Sequence, residues 1–474
     1  MQNYIKLNQI GTGSFADVHK VQNIHSGNHF AMKIIKDNGR ETNEQNILKL
    51  LQDVPNVPKL IDAFTLEGQQ VIVQELIDGL TLYQFVQNIQ VQNAPVVPEQ
   101  GLKIIMRQLL QTVKQCHLKG IAHQDIKMNN IIINRNRAVL IDFGEAHEIQ
   151  NTPNENIIVN PIFCQPRMKY TTNKSYQQLV QPDLFEEITI YPEKCTKSNE
   201  YVFKRMHHLQ SLSQNPNTDN LWINAIQRFY EYNKIINKLT KASTDNIMNP
   251  QYDNIELIQD NYPSTEDVFK FVAAQVSQPN LQDTNLYTIN KKMSADAWSV
   301  GMNGFLMILG NGYIKDLGQY QQQAAISILI QAIRNQFEQT LNSISEESFQ
   351  LFLTQQQDIQ VQIVDGPFPK QTPFEIFLLI AGLLHPHPKL RLSVSEALCC
   401  PFIVQGQQLE ENYDIINLPR GMEYGQLDQI TANLNVIKCN NMELYQNDDD
   451  KSQQQLQSQQ SNYNYDYDER EDSY

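Results

Sequence analysis

A change of hydrophobic period near residue 76 constrains this chain more than any other feature. From Tyr4 to Val73 the apolar residues fall in short strand-like runs, VHKVQNI, HFAMKII and VIVQEL. Gly, Asn and Asp turn signals separate the runs, and one helical segment lies at roughly 40–52. After IDGLTL the period becomes helical. In GLKIIMRQLLQTVKQCHLKG, Leu102, Ile105, Leu109, Val113 and Cys116 recur every three to four residues. A small sheet with one helix is therefore expected beside a larger helical body, an α+β arrangement in two lobes.

The 474 residues are enough for two to three domain-sized units and a large core. A formal charge of −15, from 37 Lys plus Arg against 52 Asp plus Glu, argues against nucleic acid as a partner. Part of that acidity is local, because residues 448–474 carry eight acids and two bases. The six cysteines have no C-x-x-C spacing, so neither a zinc site nor a disulfide framework is indicated. The opening MQNYIKLNQIG lacks the apolar core of a signal peptide, and the longest apolar stretches are too short to span a bilayer. The expectation is a cytoplasmic or nuclear protein with no membrane partner.

Two regions depart from this pattern. Residues 168–292 are rich in Asn, Gln, Tyr, Ser and Thr and read as an insertion with some structure of its own. Within it, NLWINAIQRFYEYNKIINKL has an apolar face at Trp222, Ile226, Phe229 and Ile236, and Ser264 could cap a second helix with Asp267 three residues on. Such an insertion should either pack on the helical lobe or hold a protein partner. Beyond Phe402 periodicity fades, giving a C-terminal extension over 403–474. From about 446 its Gln, Tyr and Asp composition offers too little apolar area to offset ordering entropy, so disorder is expected.

The chemistry lies in four short stretches. Gly11-Thr12-Gly13-Ser14-Phe15-Ala16-Asp17-Val18 sits between two strand signals and reads as a hairpin whose small residues let backbone N–H groups approach phosphates, although alone it is an ordinary turn. Lys33 lies in an apolar strand between Phe30, Ala31, Ile34 and Ile35, where an ammonium needs an anionic partner; Glu44, just ahead of Ile47 and Leu48, is a candidate. His123-Gln124-Asp125-Ile126-Lys127-Met128-Asn129-Asn130 offers Asp125 to accept or hold a hydroxyl proton, Lys127 to neutralise a moving phosphoryl group, and Asn130 to give a metal its carbonyl oxygen. Asp142-Phe143-Gly144, after the apolar run AVLI, adds a hard carboxylate oxygen suited to magnesium.

In this order and spacing the motifs resemble those of the eukaryotic protein kinase family over about residues 4–167 and 293–402. The resemblance implies a small lobe over 1–76 and a large lobe over 77–402, interrupted at 168–292. It makes Lys33 and Glu44 a phosphate-binding pair, Asp125 with Lys127 the catalytic loop, and Asn130 with Asp142 the magnesium ligands. ATP would lie against Ile10, Gly11, Gly13, Val18 and Ala31, with its adenine on the backbone at Glu75 and Ile77. Asp296 would brace the catalytic loop, and Arg391 would belong to the closing motif of the large lobe.

Lys127, two residues after Asp125, follows the serine/threonine pattern. The implied function is ATP- and magnesium-dependent phosphorylation of protein hydroxyls, and the alternative is a pseudokinase or scaffold without efficient catalysis. Departures bear on regulation and docking. Gln124 replaces the Arg that in many kinases clamps an activation-loop phosphate, and Thr152 carries the only hydroxyl between Gly144 and Pro166. Asn160 and Arg167 replace a Thr and a Glu of the family's substrate-proximal segment, so the 160–167 stretch bears directly on substrate binding.

Overall fold

Five strands, β1 (Tyr4–Thr12), β2 (Ala16–Asn23), β3 (His29–Ile35), β4 (Leu60–Leu66) and β5 (Gln69–Glu75), form an antiparallel sheet in the order β1-β2-β3-β5-β4. The computed structural model describes residues 3–13, 15–36, 43–91, 97–149, 221–230, 233–234, 281–309, 322–355, 361–385, 391–410, 413 and 415. All of these lie in the unit Met1–Leu427.

Alternation along β3 sorts the side chains. Met32 enters the apolar cluster with Tyr4, Val21, Val71 and Val73, and Phe30 and Ile34 pack against that cluster. Lys33, with the opposite parity, leaves by the other face of the sheet. Helix α1 (Glu44–Leu50) crosses that side, burying Glu44, Ile47 and Leu48.

The large lobe is built around α3 (Glu99–Leu118), which follows α2 (Leu82–Val91). The whole α3 stripe read from the sequence, Leu102, Ile105, Leu109, Val113 and Cys116, is buried. Against α3 pack the helix Leu281–Leu309, the short helix Val394–Leu398 and the helix Pro401–Leu409. The helix Phe374–Leu383 packs on Leu281–Leu309. Close approach explains two glycines: a Cβ at Gly301 would lie 2.6 Å from Cβ of Leu383, and one at Gly406 would lie 3.2 Å from the carbonyl oxygen of Lys103.

Two boundaries differ from the sequence reading. The insertion edge placed at about 292 falls inside the single helix Leu281–Leu309. The helix Pro401–Leu409 runs past Phe402, and beyond it Ile415 is buried, so the large lobe extends into the region read as C-terminal extension.

Part of the insertion belongs to the large lobe. A helix over 221–230 buries Trp222, Ile226 and Phe229, three of the four positions assigned to its apolar face. Phe229 meets Phe337 edge-on at 5.3 Å and stacks on His385 at 5.7 Å, while Tyr230 stacks on Phe349 at 3.7 Å. Arg228 is buried in a two-pronged pair with Glu396 at 2.7 and 3.3 Å. The stretches at Ser264, 160–167 and 446–474 lie outside the described residues. No helix among the described residues is long and apolar enough to cross a membrane.

Candidate active site

The hairpin between β1 and β2 is tight, with Thr12 paired to Asp17 and the Gly13 amide donating to the Ala16 carbonyl at 2.9 Å. Gly11 faces Val18 across the ladder, whereas Ala16 already sits in the sheet opposite Ile35. Asp17, within the motif, and Lys36, outside it, secure the tip. Asp17 accepts from Thr12 Oγ1 at 2.6 Å, and Lys36 reaches both Asp17 at 3.0 Å and the Gly13 carbonyl at 2.8 Å. Ile10 is 46% exposed at this rim, while Ala31 is buried beneath it. Ala31 pairs with Gln74 on β5, whose last residue, Glu75, leads into the connection containing Ile77.

Lys33 lies between two carboxylates, its Nζ 2.7 Å from Glu44 and 2.6 Å from Asp142. Burial alone would push this ammonium down, but Glu44 and Asp142 outweigh it and hold Lys33 above the ordinary lysine range. Partial burial works against a charged Asp142 too, and the neighbouring Lys33 more than offsets it, leaving that carboxyl below its ordinary range. Glu44 is pushed up by its own burial, against the attraction of Lys33, and it also accepts from the Phe143 amide. This triad joins β3, α1 and the turn after the strand Arg137–Leu140, three elements distant in sequence.

Asp125 is nearly buried and carries Lys127 Nζ on Oδ2 at 2.6 Å. Asn130 donates its amide to the Asp125 carbonyl and to Oδ2, both at 2.9 Å. That commits the nitrogen end of Asn130 and leaves its oxygen as the group it can offer a cation. Below the loop, the fully buried Asp296 accepts from the amides of His123 at 2.9 Å and Gln124 at 2.8 Å, and from His117 Nε2 at 2.8 Å. His123 is edge-on to Phe143 at 4.6 Å and bonds the Ile141 carbonyl at 3.1 Å. The two polar turns are thereby fixed to each other through one imidazole. Gln124 and Asp142 both adopt the left-handed backbone region at φ 64°. These conformations are uncommon for residues with a Cβ and mark the two turns as held by their surroundings.

The structure thus brings together Lys33, Glu44 and Asp142 in one cluster and Asp125, Lys127 and Asn130 in another. His117 and Lys292 are polar supports outside every motif read from the sequence, and His123 takes a role that its motif alone does not assign. Arg391 is buried, donating to the His385 carbonyl at 2.9 Å and to the Ser294 carbonyl and hydroxyl at 2.9 and 3.0 Å, with Trp298 5.0 Å away. Asn160 and Arg167 lie outside the described residues.

The donor set suits a hard divalent cation. The Asp142 side chain is 43% exposed and, like the Asn130 amide, offers oxygen rather than nitrogen or sulfur. Among the described residues there is no group of three or more His, Cys, Asp or Glu that could hold a metal alone. Asp142 and Asn130 are the residues that would hold such a cation.

Comparison with known proteins gives this geometry a family. Residues 4–182 match the family model of the protein kinase domain. Calcium/calmodulin-dependent protein kinase type II subunit delta of Oryctolagus cuniculus is 30% identical over 158 residues, covering 31% of this chain and 28% of the relative. Sperm motility kinase 2B of Mus musculus is 28% identical over 151 residues, covering 31% and 30%, respectively. The probable serine/threonine-protein kinase PknB of Lactococcus lactis is 29% identical over 159 residues, covering 31% and 24%. The matched part of the chain spans less than a third of the length of each of these relatives. Residues 4–182 therefore match a protein kinase domain, and the five-stranded antiparallel sheet followed by helices is consistent with its two-lobed α+β fold.

Proposed function

We propose that this protein is a serine/threonine kinase that moves the γ-phosphoryl group of ATP to hydroxyls of protein substrates. The observation that carries the reading is the Lys33–Glu44–Asp142 triad, with contacts of 2.7 and 2.6 Å, in a chain whose catalytic loop holds Asp125 and Lys127 at 2.6 Å. ATP would lie between the Gly11–Val18 hairpin and Ala31, its adenine edge on the backbone at Glu75 and Ile77. Lys33, kept charged by its two acids, would hold the α and β phosphates. Asp142 and Asn130 would hold magnesium, which supplies positive charge to the phosphate oxygens.

The substrate hydroxyl would face Asp125. As its oxygen forms the new bond to phosphorus and the bond to ADP breaks, the hydroxyl proton passes to the Asp125 carboxylate. Lys127 would remain beside both as a counter-charge. The serine/threonine preference rests on Lys127, and it is in keeping with the name of one relative, the probable serine/threonine-protein kinase PknB. The described cysteines, Cys116, Cys399 and Cys400, are free thiols, in keeping with a reducing compartment such as the cytoplasm. A partner at the insertion would use residues other than Trp222, Ile226 and Phe229, whose side chains are committed to the large lobe.

The test is transfer of label from γ-labelled ATP, with magnesium, to a protein mixture by wild type, Lys33→Met and Asp142→Asn. Wild type should label Ser and Thr, and both variants should fall by at least about a hundredfold, consistent with positioning and electrostatic stabilisation as the main sources of phosphoryl-transfer catalysis. Equal labelling by all three would refute the assignment. Nucleotide binding without transfer would favour the alternative module, to which the altered 160–167 segment points.

A further inference from the structure

The helix Leu281–Leu309 grips both polar turns of the site from one face. Asp296 holds the amides of His123 and Gln124. One helical turn earlier, Lys292 offers two more contacts. Its carbonyl accepts the Gln124 side-chain amide at 3.0 Å, and its ammonium donates to the Glu148 carbonyl at 2.9 Å. The Gln124 amide also approaches Asp296 Oδ1 at 3.3 Å.

Glu148 ends the short strand His147–Glu148, six residues beyond Asp142. That strand pairs with Ile121–Ala122, directly ahead of His123, and the Ile149 amide donates to the Gly120 carbonyl at 2.7 Å. The segment leaving Asp142 is therefore tied to the segment entering the catalytic loop, and Lys292 closes the tie from below.

Lys292 is only 5% exposed. An apolar side chain would fill such a place without the desolvation that an ammonium suffers, and the hydrogen bond to the Glu148 carbonyl offsets part of that cost. Gln124 is neutral and binds inward to the helix.

We infer that Lys292 is a positioning residue which, with Gln124 as its second half, fixes the strand after Asp142 to the catalytic loop through the helix Leu281–Leu309. The inference rests on the proposed kinase activity for its functional consequence, but the clasp itself is a property of the fold. It explains how a catalytic loop with Gln124 keeps Asp142 and Asp125 in register.

The experiment uses the full chain as wild type, Lys292→Met, Lys292→Arg and Gln124→Ala. Amide hydrogen exchange is followed in peptides covering 143–149 and, as a reference, β1 to β5, alongside steady-state kinetics. Lys292→Met should raise exchange at 147–149 by about tenfold or more with the sheet unchanged, because a local opening loses one of its ties. It should lower kcat by about tenfold with KM for ATP changed less than about twofold, since the proposed contacts to ATP at Ile10, Gly11, Gly13, Val18, Ala31 and Lys33 lie in the small lobe. Lys292→Arg should restore most of both effects.

Wild-type exchange at 147–149 in Lys292→Met would overturn the inference. Should that variant fail to fold, Gln124→Ala carries the same readout, with exchange raised several-fold expected and unchanged exchange refuting. An inactive wild type would defeat the kinase reading while leaving the exchange comparison to decide the clasp. An active wild type whose Lys292→Met variant keeps both exchange and kcat would defeat the clasp alone.

Discussion

Replacing Arg228 with Met should destabilise the whole large lobe, although Arg228 lies in a stretch that reads as an insertion. Its side chain is 4% exposed and that of Glu396 is 11% exposed, with two N–H···O contacts between them. Removing the guanidinium leaves Glu396 with the Ser393 amide at 2.8 Å and the Ser393 hydroxyl at 2.9 Å, which satisfy one oxygen but supply no opposite charge. Two unit charges about 4 Å apart at an effective dielectric near 20 attract by about 4 kcal/mol, and breaking a buried pair from one side costs about 3–5 kcal/mol. The melting temperature should fall by on the order of 10 °C. Removing both charges with Arg228→Met and Glu396→Met should recover all but about 1–2 kcal/mol, the residue being the lost capping box at Ser393. Denaturant unfolding followed by tryptophan fluorescence suits the question, because the chain has two tryptophans and both Trp222 and Trp298 are buried in this lobe. A loss under about 1 kcal/mol in Arg228→Met would refute the view that the helix over 221–230 is integral to the lobe.

Other consequences follow from burial and charge. Burial pushes the Cys116 and Cys400 thiols far up, while Cys399 is exposed, so alkylation of native protein near pH 8 should modify Cys399 and spare the other two; peptide mapping that finds Cys400 modified as fast as Cys399 would contradict the packing. Burial disfavours the charged Asp142, but Lys33 outweighs it and holds the carboxyl below its ordinary range, so the pair's stabilisation is in place above about pH 4 and is lost as pH falls through the depressed value. The stability gap between wild type and Lys33→Met should therefore narrow on acidification from pH 7 to 3, and a gap that widens would contradict the ion pair.

The site's charged residues were legible because each broke a local rule. Lys33 is a cation in an apolar strand, and Asp142 follows an apolar run, so both demanded partners. The α3 stripe was legible for the same reason that it is buried: its period fits one helix face. What could not be read depends on distant contacts. Lys292 precedes its site helix's apolar part in a polar run, and its acceptor at Glu148 lies 144 residues away. His117 meets Asp296 across 179 residues, with no local signal for the pairing. The helix Pro401–Leu409 was obscured by Gly406 among polar residues. That glycine reads as a breaker, yet it sits where the helix closes onto the backbone of α3 at Lys103. The helix over 221–230 declared its apolar face at Trp222, Ile226 and Phe229, but not that Arg228 would carry a charge into the core with it.

In the proposed reaction the Asp125 loop carries out phosphoryl transfer. Its most direct measurement is single-turnover transfer of the γ-phosphoryl group from magnesium-ATP to serine or threonine in protein substrate, comparing wild type with Asp125→Asn at matched nucleotide occupancy. Wild type should transfer and Asp125→Asn should lose at least about a thousandfold, with ATP affinity changed less than about threefold, because in the proposed reaction Asp125 would face the hydroxyl and Lys33 would hold the nucleotide. Wild-type protein that binds magnesium-ATP yet transfers nothing, or an Asp125→Asn variant that transfers as fast as wild type, would contradict it.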